Sequence, residues 1–323
     1  MSNNVNPVLL VGAGKMAIEY AKVLIKQNIP FVCVGRSTAS AESFKDQTGI
    51  TPETGGLINF LEDNTRPVSS AIVCVNVEEL SSSTLALLKS GCKFILVEKP
   101  GGLTGKEIKM IAEETKKQKA KVYVAYNRRF YASVKKAKAL IEEDGGIDSF
   151  HFEFTELSHL ISNTSIHSKV KENWLLANSS HVIDLAFYLG GEPQQITSFT
   201  KGGTDWHPSA SVFAGAGITD KNALFSYNAN WDAPGRWGID LMTKKRRLIL
   251  RPLEQLQEQT FETFSLERVS INDQMDKNFK PGLFSLVQSF LSSQKDTTLV
   301  SIEEQYRKTL SWYQKINHST KVK

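Results

Sequence analysis

The sequence has no apolar run approaching the roughly 18 residues of a membrane span. Its first residues, 1–6, are polar and lack the charged and then apolar pattern of a signal peptide. Cysteine is scarce, since Cys33, Cys74 and Cys92 are the only three, and their spacing fits no metal site. We therefore expect a soluble cytoplasmic protein with no metal site and no disulfide framework, in which these thiols are small core residues of a reducing compartment.

The chain also lacks low-complexity tracts, internal repeats and a strong excess of one charge. The net charge of +5 is mild for 323 residues, and basic runs such as 244–247 have no nucleic-acid recognition motif beside them. We therefore expect neither a nucleic-acid partner nor a membrane partner. With 41% apolar and 23% charged residues the composition is globular, and the length predicts more than one domain.

The most informative stretch is 8–17, where a short apolar run leads into Gly12-x-Gly14-x-x-Ala17 and then into a helical pattern. A strand, a glycine turn and a helix in this order are typical of a dinucleotide-binding fold. Gly12 permits the tight turn, and Gly14 lacks a Cβ, so that the backbone can approach a pyrophosphate at the start of the helix. We therefore predict that the cofactor is bound by Gly12, Gly14, Lys15 and Met16.

The residues after the second predicted strand, 31–34, indicate which cofactor to expect. A fold that binds NAD places an acidic side chain about 20 residues after the glycines, to hold the ribose 2′-hydroxyl. This chain has Arg36 and Ser37 there and no carboxylate until Glu42. A guanidinium can pair with a 2′-phosphate, and a hydroxyl can donate to it. We therefore predict NADP(H) in preference to NAD, the alternative being that Arg36 is a surface charge in a loop.

Short apolar strands alternate with helices through 8–126, which predicts a doubly wound parallel sheet and a Rossmann domain of residues 1–126. The expected strands include a weaker one around Ile50. Ligands bind beyond the carboxyl ends of such strands, so we expect Val75, Asn76 and Glu98 beside the cofactor.

After residue 126 the pattern changes to strands joined by short turns, which predicts a second, substrate-binding domain of residues 127–323. Its sheet is expected to be antiparallel with one covered face, so the fold class is α/β. We expect helices at 131–143 and 179–189, and two more within 282–317. The expected strands are 149–154, 195–200, 210–215, 223–231, 237–243, 247–251 and 261–269.

Glu98-Lys99-Pro100 follows a predicted parallel strand, which places Lys99 near the nicotinamide end of the cleft. A lysine there can orient a substrate hydroxyl and stabilise charge on its oxygen, and Pro100 biases Lys99 towards an extended backbone. The alternative is an ordinary surface lysine.

The segment 174–191 predicts a helix capped by Asn178 or Ser179 and ended by a glycine. His181 would then lie in the first helical turn, where the helix dipole favours a neutral imidazole that can act as a base. The alternative is a core histidine followed by a solvated Asp184.

These motifs, together with Asn127-x-Arg129-Phe130 and His181-x-x-Asp184, occur in an order that resembles the glucose–fructose oxidoreductase / inositol dehydrogenase family of NAD(P)-dependent oxidoreductases. The resemblance covers nearly the whole chain. It implies a Rossmann domain followed by an α/β domain whose open, mostly antiparallel sheet forms the subunit interface of a homodimer or homotetramer. It also implies a sugar, cyclitol or sugar-nucleotide substrate, cofactor contacts at Lys99 and Asn127, substrate contact at Lys99, and His181 as the acid/base.

The sequence departs from this family at Ala177, where many sugar-oxidising members carry Asp and some carry Asn. The missing acid removes a proton-relay partner or a substrate hydrogen bond. Two arrangements stay open: Asn178 substitutes for the acid, or Lys99 and His181 suffice.

Further substrate contacts are expected at Arg128, Trp174, Asn178 and Arg236. Trp174 lies in 155–178, which is long enough to form a lid, and Arg236 lies in the aromatic turn 231–237. That arginine can bind a carboxylate or a phosphate, and the aromatic faces can stack on a sugar. The alternative for the turn is a structural hairpin corner with a surface arginine.

The sequence thus predicts an NADP(H)-dependent oxidoreductase that transfers hydride between nicotinamide and a carbinol or carbonyl of a sugar or sugar nucleotide, in a pathway such as surface-glycan biosynthesis. One alternative is a reductase of a non-sugar carbonyl, an imine or a tetrapyrrole, as in the biliverdin reductase branch. Another is a non-catalytic NADPH-sensing protein, which Ala177 favours.

Overall fold

The structure is a computed structural model that describes residues 6–64, 67–292 and 296–320. Residues 1–5, on which the expectation about a signal peptide depends, lie outside these ranges. Within them, no helix combines the length and the apolar character needed to cross a membrane. Cys33, Cys74 and Cys92 are buried free thiols, and burial raises the pKa of Cys33 to about 12.

The chain forms two compact units. The first runs to Tyr126 and includes Asn278–Arg307, and the second contains Asn127–Lys277 and the residues from Lys308 onward. Residues 278–307 therefore belong with the first unit, although the sequence analysis assigns them to the second domain. They are held there by a hydrogen bond from Gln27 Nε2 to the Phe284 carbonyl at 2.9 Å, and by a strand that pairs with the end of the first sheet.

Up to Tyr126 the first unit alternates strands and helices in the predicted order: β1 (Val8–Val11), α1 (Lys15–Lys26), β2 (Phe31–Val34), α2 (Thr38–Thr48), α3 (Gly56–Asp63), β3 (Ser70–Val73), α4 (Leu80–Lys89), β4 (Phe94–Val97), α5 (Gly105–Lys117) and β5 (Lys121–Val124). The predicted strand around Ile50 is wrong, because only an isolated bridge joins Val34 to Glu53 there. Pro52 lies in this segment and has no N–H group to donate to a strand ladder.

The remaining elements, in chain order, are α6 (Ala132–Glu143), β6 (Ser149–Glu153), α7 (Ser158–Ser162), α8 (Ser168–Glu172), α9 (Ser180–Gly190), β7 (Pro193–Lys201), β8 (Val212–Thr219), β9 (Leu224–Asn230), β10 (Gly238–Met242), β11 (Arg246–Leu250), β12 (Gln257–Thr260), β13 (Glu267–Arg268), α10 (Gln274–Asn278), α11 (Leu283–Leu291), β14 (Val300–Ser301), α12 (Ile302–Lys308) and α13 (Gln314–Asn317). The predicted strand 261–269 is wrong over most of its length, because a turn separates β12 from β13 and leaves Phe261 and Phe264 exposed.

The first sheet has the order β2–β1–β3–β4–β5, all parallel, with β14 added antiparallel to β5 at the edge. The chain leaves β1 for β2 on one side and returns to β3 on the other. Such a reversal opens a crevice at the carboxyl ends of β1 and β3, where ligands bind in this architecture. Every residue of β1 is at most 4% exposed, as expected for a strand covered on both faces.

The second sheet has the order β13–β12–β11–β10–β6–β9–β8–β7, and all neighbours are antiparallel except β6 and β9. This confirms the predicted α/β fold class with a mostly antiparallel second sheet. Alternate residues of β6 face α9, and the Phe152 and Phe187 rings meet edge to face at 5.5 Å. The covered face of the sheet thus fixes α9, the helix that carries His181.

Candidate active site

The first unit contains a cleft of about 500 Å³ beyond the carboxyl ends of β1, β2 and β3, which we call the nucleotide cleft. Six predicted cofactor residues line it: Gly12, Gly14, Arg36, Ser37, Val75 and Asn76. Lys15 and Met16 open α1 directly after Gly14. The fold therefore collects residues from three separate strand ends at the predicted crevice.

The two glycines of this cleft have different structural roles. Gly12 has a φ of +113°, and a Cβ on it would lie 2.8 Å from the Cys74 carbonyl oxygen. A Cβ on Gly14 would have none of the described atoms within 4 Å, so the space beside Gly14 is open. Gly14 also precedes α1 without a side-chain cap or an acidic residue in the first turn. Uncapped N–H groups beside open space fit the pyrophosphate of a dinucleotide.

These roles predict different results for a matched pair of variants. Gly12→Ala lowers the melting temperature, because a strained backbone of this kind costs on the order of 1–3 kcal/mol. Gly14→Ala keeps the melting temperature of the ligand-free protein but weakens NADPH binding by roughly tenfold or more, since its methyl group occupies the space for the pyrophosphate. Scanning calorimetry with and without NADPH measures both quantities. Binding by Gly14→Ala equal to that of wild type would contradict this assignment of the cleft.

Arg36 lies at the rim of the nucleotide cleft with its side chain 73% exposed, and it pairs with Glu79 of the 3₁₀ turn Val77–Glu79. Sequence reasoning missed Glu79, because 43 residues separate the two side chains along the chain. An exposed ion pair of this kind contributes about 0–1 kcal/mol. Glu79 therefore competes only weakly for the Arg36 guanidinium.

Ser37 caps α2, and its Oγ accepts a hydrogen bond from the Ser40 N–H at 3.3 Å. Ser40 also lines the nucleotide cleft, and the first turn of α2 has no acidic residue. Two hydroxyls, a guanidinium and a helix N-terminus thus meet at the end of β2. This set of donors fits a phosphate.

Glu98 is held by its neighbours in the first unit. Its Oε1 accepts a hydrogen bond from the Tyr20 hydroxyl at 2.7 Å, and its Oε2 accepts one from the Lys99 N–H at 3.3 Å. Burial raises the pKa of Glu98, although Tyr20 and Lys99 partly oppose the change. The bond from α1 fixes the start of the Glu-Lys-Pro segment, whose Lys99–Pro100 peptide is cis.

In the second unit, the prediction that Asn178 or Ser179 caps the His181 helix is wrong. A π-helical turn, Leu175–Ser179, continues directly into α9, and Ser179 has helical φ and ψ angles of −64° and −21°. Because the helix extends at least one turn before His181, the macrodipole argument for a neutral imidazole does not apply there. His181 is 5% exposed, and its ring lies 6.3 Å from that of Trp237.

Asn178 and Ser179 instead donate hydrogen bonds to Glu156, a residue that sequence reasoning missed. Asn178 Nδ2 lies 3.1 and 3.3 Å from its two oxygens, and Ser179 Oγ lies 2.7 Å from Oε1. Glu156 is 8% exposed and follows the end of β6. The fold therefore brings a carboxylate to the segment in which Ala177 lacks one. Its only signal in the sequence is an acid just after an alternating strand.

Asp184 is fully buried and binds two cations, so it is not the solvated aspartate of the alternative interpretation. Arg129 donates from Nε at 2.7 Å and from a terminal nitrogen at 2.8 Å, and Lys308 Nζ donates at 2.9 Å. Burial alone would raise the pKa of Asp184, but the two positive charges outweigh it and lower that pKa. The His181-x-x-Asp184 motif thus joins a candidate base to a buried ionic cluster.

The second unit also contains a cleft of about 630 Å³, which we call the substrate cleft. It is lined by the predicted substrate residues Arg128 and Arg236 and by Glu156 and Trp237, and the Arg128 guanidinium lies 4.7 Å from the Trp237 ring centre. Glu156 also lines a neighbouring cleft of about 640 Å³.

The predicted lid, 155–178, contains α7 and α8, and Leu160 and Ile161 of α7 line the substrate cleft. Trp174 is 8% exposed and packs edge to face on Trp206 at 5.8 Å. Trp174 therefore packs against another indole, and its predicted contact with substrate stays a prediction. The predicted Lys99 belongs to the first unit, and Asn127 and His181 belong to the second.

Comparison with known proteins agrees with this fold. Residues 7–126 match the model of an oxidoreductase family with a NAD-binding Rossmann fold. No curated protein matches the sequence.

Solved structures match over nearly the whole chain at low identity. A putative NADPH-dependent oxidoreductase from Desulfitobacterium hafniense has a TM-score of 0.75 and 16% identity, covering 97% of this chain and 95% of its own. Levoglucosan dehydrogenase in complex with NADH and levoglucosan has a TM-score of 0.73 and 18% identity, with 96% and 95% covered. The WlbA dehydrogenase from Bordetella pertussis in complex with NADH and UDP-GlcNAcA has a TM-score of 0.71 and 13% identity, with the same coverage. At such identities the likeness establishes the fold.

Proposed function

We propose that the protein is a cytoplasmic NADP(H)-dependent oxidoreductase of the Gfo/Idh/MocA type, a proposal supported by the match of residues 7–126 to the model of that family. Its substrate is a sugar or sugar nucleotide that reacts at a carbinol or carbonyl carbon, as in the biosynthesis of surface glycans. The observation that carries the cofactor proposal is the group of Arg36, Ser37 and Ser40 at the rim of the nucleotide cleft. These residues present donors where a NAD-binding fold places an acid.

In this proposal the bound nicotinamide supplies or accepts the hydride. His181 exchanges the proton of the reacting hydroxyl, and Lys99 orients the oxygen and stabilises the charge that develops on it. Glu98 supports Lys99 through its hydrogen bonds to Tyr20 and to the Lys99 N–H. Asn127 completes the proposed cofactor contacts at the start of the second unit.

A carbohydrate substrate is supported by two features. The substrate cleft combines an indole, two guanidinium groups and two carboxylates, and such a mixture can stack on a sugar ring and bind its oxygens. Two proteins of the same fold are described in complex with levoglucosan and with UDP-GlcNAcA.

We also propose that the exposed face of the second sheet joins copies of the chain into a homodimer or homotetramer. Small side chains such as Ala214 and Ala216 are exposed on β8, next to exposed Ser226 and Asn228 on β9. Phe199 of β7, paired with Ala214, is also exposed, so this face offers small side chains and an apolar ring to a second copy. Analytical ultracentrifugation tests this, and a monomer at micromolar concentration would contradict it.

The cofactor proposal predicts opposite results for the two members of the Arg36–Glu79 pair. Arg36→Ala weakens NADPH binding by about 1.5–3 kcal/mol and leaves NADH nearly unchanged, because only NADPH has the 2′-phosphate. Glu79→Gln leaves NADPH binding equal or stronger, since it removes a competing carboxylate. Titration monitored by nicotinamide fluorescence measures both. If Glu79→Gln weakens NADH while Arg36→Ala leaves NADPH unchanged, Glu79 holds a ribose hydroxyl and the cofactor is NAD.

A further inference from the structure

Among the described residues, two arginines of the substrate cleft have no acidic partner, and from them we propose that the substrate carries an acidic group, a carboxylate or a phosphate, which Arg128 and Arg236 bind. The proposal rests on the proposed function in one respect, the assignment of this cleft to the substrate. It narrows the substrate from carbohydrates in general to sugar acids and phosphorylated sugars.

The first observation is the pairing of arginines in the second unit. Four of them have carboxylate partners: Arg129 with Asp184, Arg246 with Asp144, Arg247 with Asp240 and Arg251 with Glu153. In the described part of the chain, neither Arg128 nor Arg236 has a carboxylate within ion-pair distance. The cleft therefore contains two guanidinium groups whose hydrogen-bonding edges are open to a ligand.

The second observation is that Arg128 is held in place without an acid. It is half-buried, and its guanidinium carbon lies 4.7 Å from the centre of the Trp237 ring. Stacking on an indole fixes the plane of the guanidinium and leaves its N–H groups directed along that plane. This is the geometry in which arginine binds a planar carboxylate or a phosphate through two parallel hydrogen bonds.

The third observation concerns the acids of the same cleft, which are engaged by other residues. Glu156 accepts hydrogen bonds from Asn178 and Ser179. Burial raises the pKa of Tyr131 to about 12, and the Glu254 carboxylate close to the Tyr131 hydroxyl contributes to this rise. The acids of the cleft thus have partners other than Arg128 and Arg236, and an incoming anion is the partner that these two arginines lack.

Trp237 also relates this anion site to the proposed chemistry. The Trp237 ring centre lies 4.7 Å from the guanidinium carbon of Arg128 and 6.3 Å from the ring centre of His181. An acidic group held by Arg128 therefore lies close to the proposed acid/base residue. Such an anchor orients the rest of the substrate for reaction.

The two clefts are large enough for either kind of acidic ligand, a sugar carboxylate or a sugar phosphate. The substrate cleft of about 630 Å³ accommodates a single sugar acid. The neighbouring cleft of about 640 Å³ shares Glu156 and Leu157 with it and offers space for a second group attached through a phosphate. A uronic acid and a sugar phosphate are therefore both tested.

Tryptophan fluorescence provides a direct binding assay, because all five tryptophans lie in the second unit and Trp237 lines the cleft. The probes are D-glucuronate, glucose 1-phosphate and UDP, with D-glucose as the neutral control. The variants are Arg128→Gln, Arg128→Lys and Arg236→Gln, with Arg247→Gln as the matched control, since Arg247 pairs with Asp240 outside the cleft. Arg128→Lys keeps the positive charge, so it still tests the anion site if Arg128→Gln fails to fold.

We expect at least one acidic probe to bind roughly tenfold or more tightly than D-glucose, and each glutamine variant to weaken that binding by roughly tenfold or more. Arg128→Lys should retain part of the affinity, and Arg247→Gln should equal wild type. Binding of glucuronate alone identifies a carboxylate, and binding of glucose 1-phosphate or UDP identifies a phosphate. Equal binding of D-glucose, no binding of any acidic probe, or affinity unchanged in both glutamine variants would overturn the proposal.

Measuring turnover and NADPH binding with the same preparation distinguishes a failure of this proposal from a failure of the proposed function. Oxidation of neutral sugars with NADP⁺, or reduction of their keto forms with NADPH, without binding of acidic probes would reject the acidic substrate and keep the oxidoreductase. Acidic probes that bind through Arg128 in a protein that binds no nucleotide would support the anion site and reject the oxidoreductase.

Discussion

Replacing His181 with alanine lowers kcat by about 10²–10⁴-fold, the usual contribution of a positioned general acid or base. Oxidation of an alcohol by hydride transfer releases the hydroxyl proton, and carbonyl reduction takes it up. The affinity for NADPH should stay near the wild-type value, because we expect most of its binding contacts to come from the nucleotide cleft, which does not include His181.

Two measurements separate proton transfer at His181 from a structural role. Added imidazole should restore part of kcat in His181→Ala, because a small base can occupy the space of the deleted ring. His318→Ala is the control, since His318 is an exposed histidine that follows α13. Activity of His181→Ala close to wild type would remove the acid/base role. It would favour a conjugated acceptor such as a tetrapyrrole, which does not need a base at this position.

Replacing Asp184 with alanine destabilises the second unit by about 3–5 kcal/mol, because Arg129 and Lys308 are then left as buried charges without their acid. Arg129 is 5% exposed and Lys308 is 1% exposed, so water cannot replace the lost carboxylate. The control is Asp240→Ala, which removes a partly exposed pair with Arg247 and should cost about 0–1 kcal/mol.

Urea unfolding followed by tryptophan fluorescence measures this effect, since every tryptophan lies in the second unit. The same assay tests a pH dependence. Because the folded-state pKa of Asp184 is lowered, its contribution is fully present above the usual pKa of 3.8 and is lost as pH falls through the lower folded value. A loss below about 1 kcal/mol in Asp184→Ala, or equal acid sensitivity of the variant and wild type, would show that the cluster does not stabilise the fold.

Local patterns in the sequence predict much of the first unit. The strand at 8–11, its glycine turn and the helix after it are contiguous, and so are the signals that identify them. The alternation of Phe150, Phe152 and Phe154 likewise identifies a half-covered strand at β6. Each of these signals depends on residues a few positions apart.

Contacts between distant residues could not be predicted in this way. β14 has two residues, too few for a hydrophobic period, so nothing indicated that residues 278–307 belong with the first sheet. Lys308 reaches Asp184 from 124 positions away, and Glu156 reaches Asn178 from 22 positions away. The predicted cap at Asn178 is wrong for a related reason. Asn178 is a good capping residue, but its side chain bonds to Glu156 and the helical segment begins before it.

Nicotinamide absorbance during turnover tests most directly whether this chain transfers hydride between NADP(H) and a carbohydrate. Wild-type protein is mixed with NADP⁺ and a panel of sugars, sugar acids and sugar nucleotides, and with NADPH and the corresponding keto compounds. We predict an absorbance change with at least one member of the panel, faster with NADP(H) than with NAD(H), and reduced in His181→Ala. Tight NADPH binding with no absorbance change for any member of either panel would contradict the claim and indicate a protein that senses NADPH without turnover.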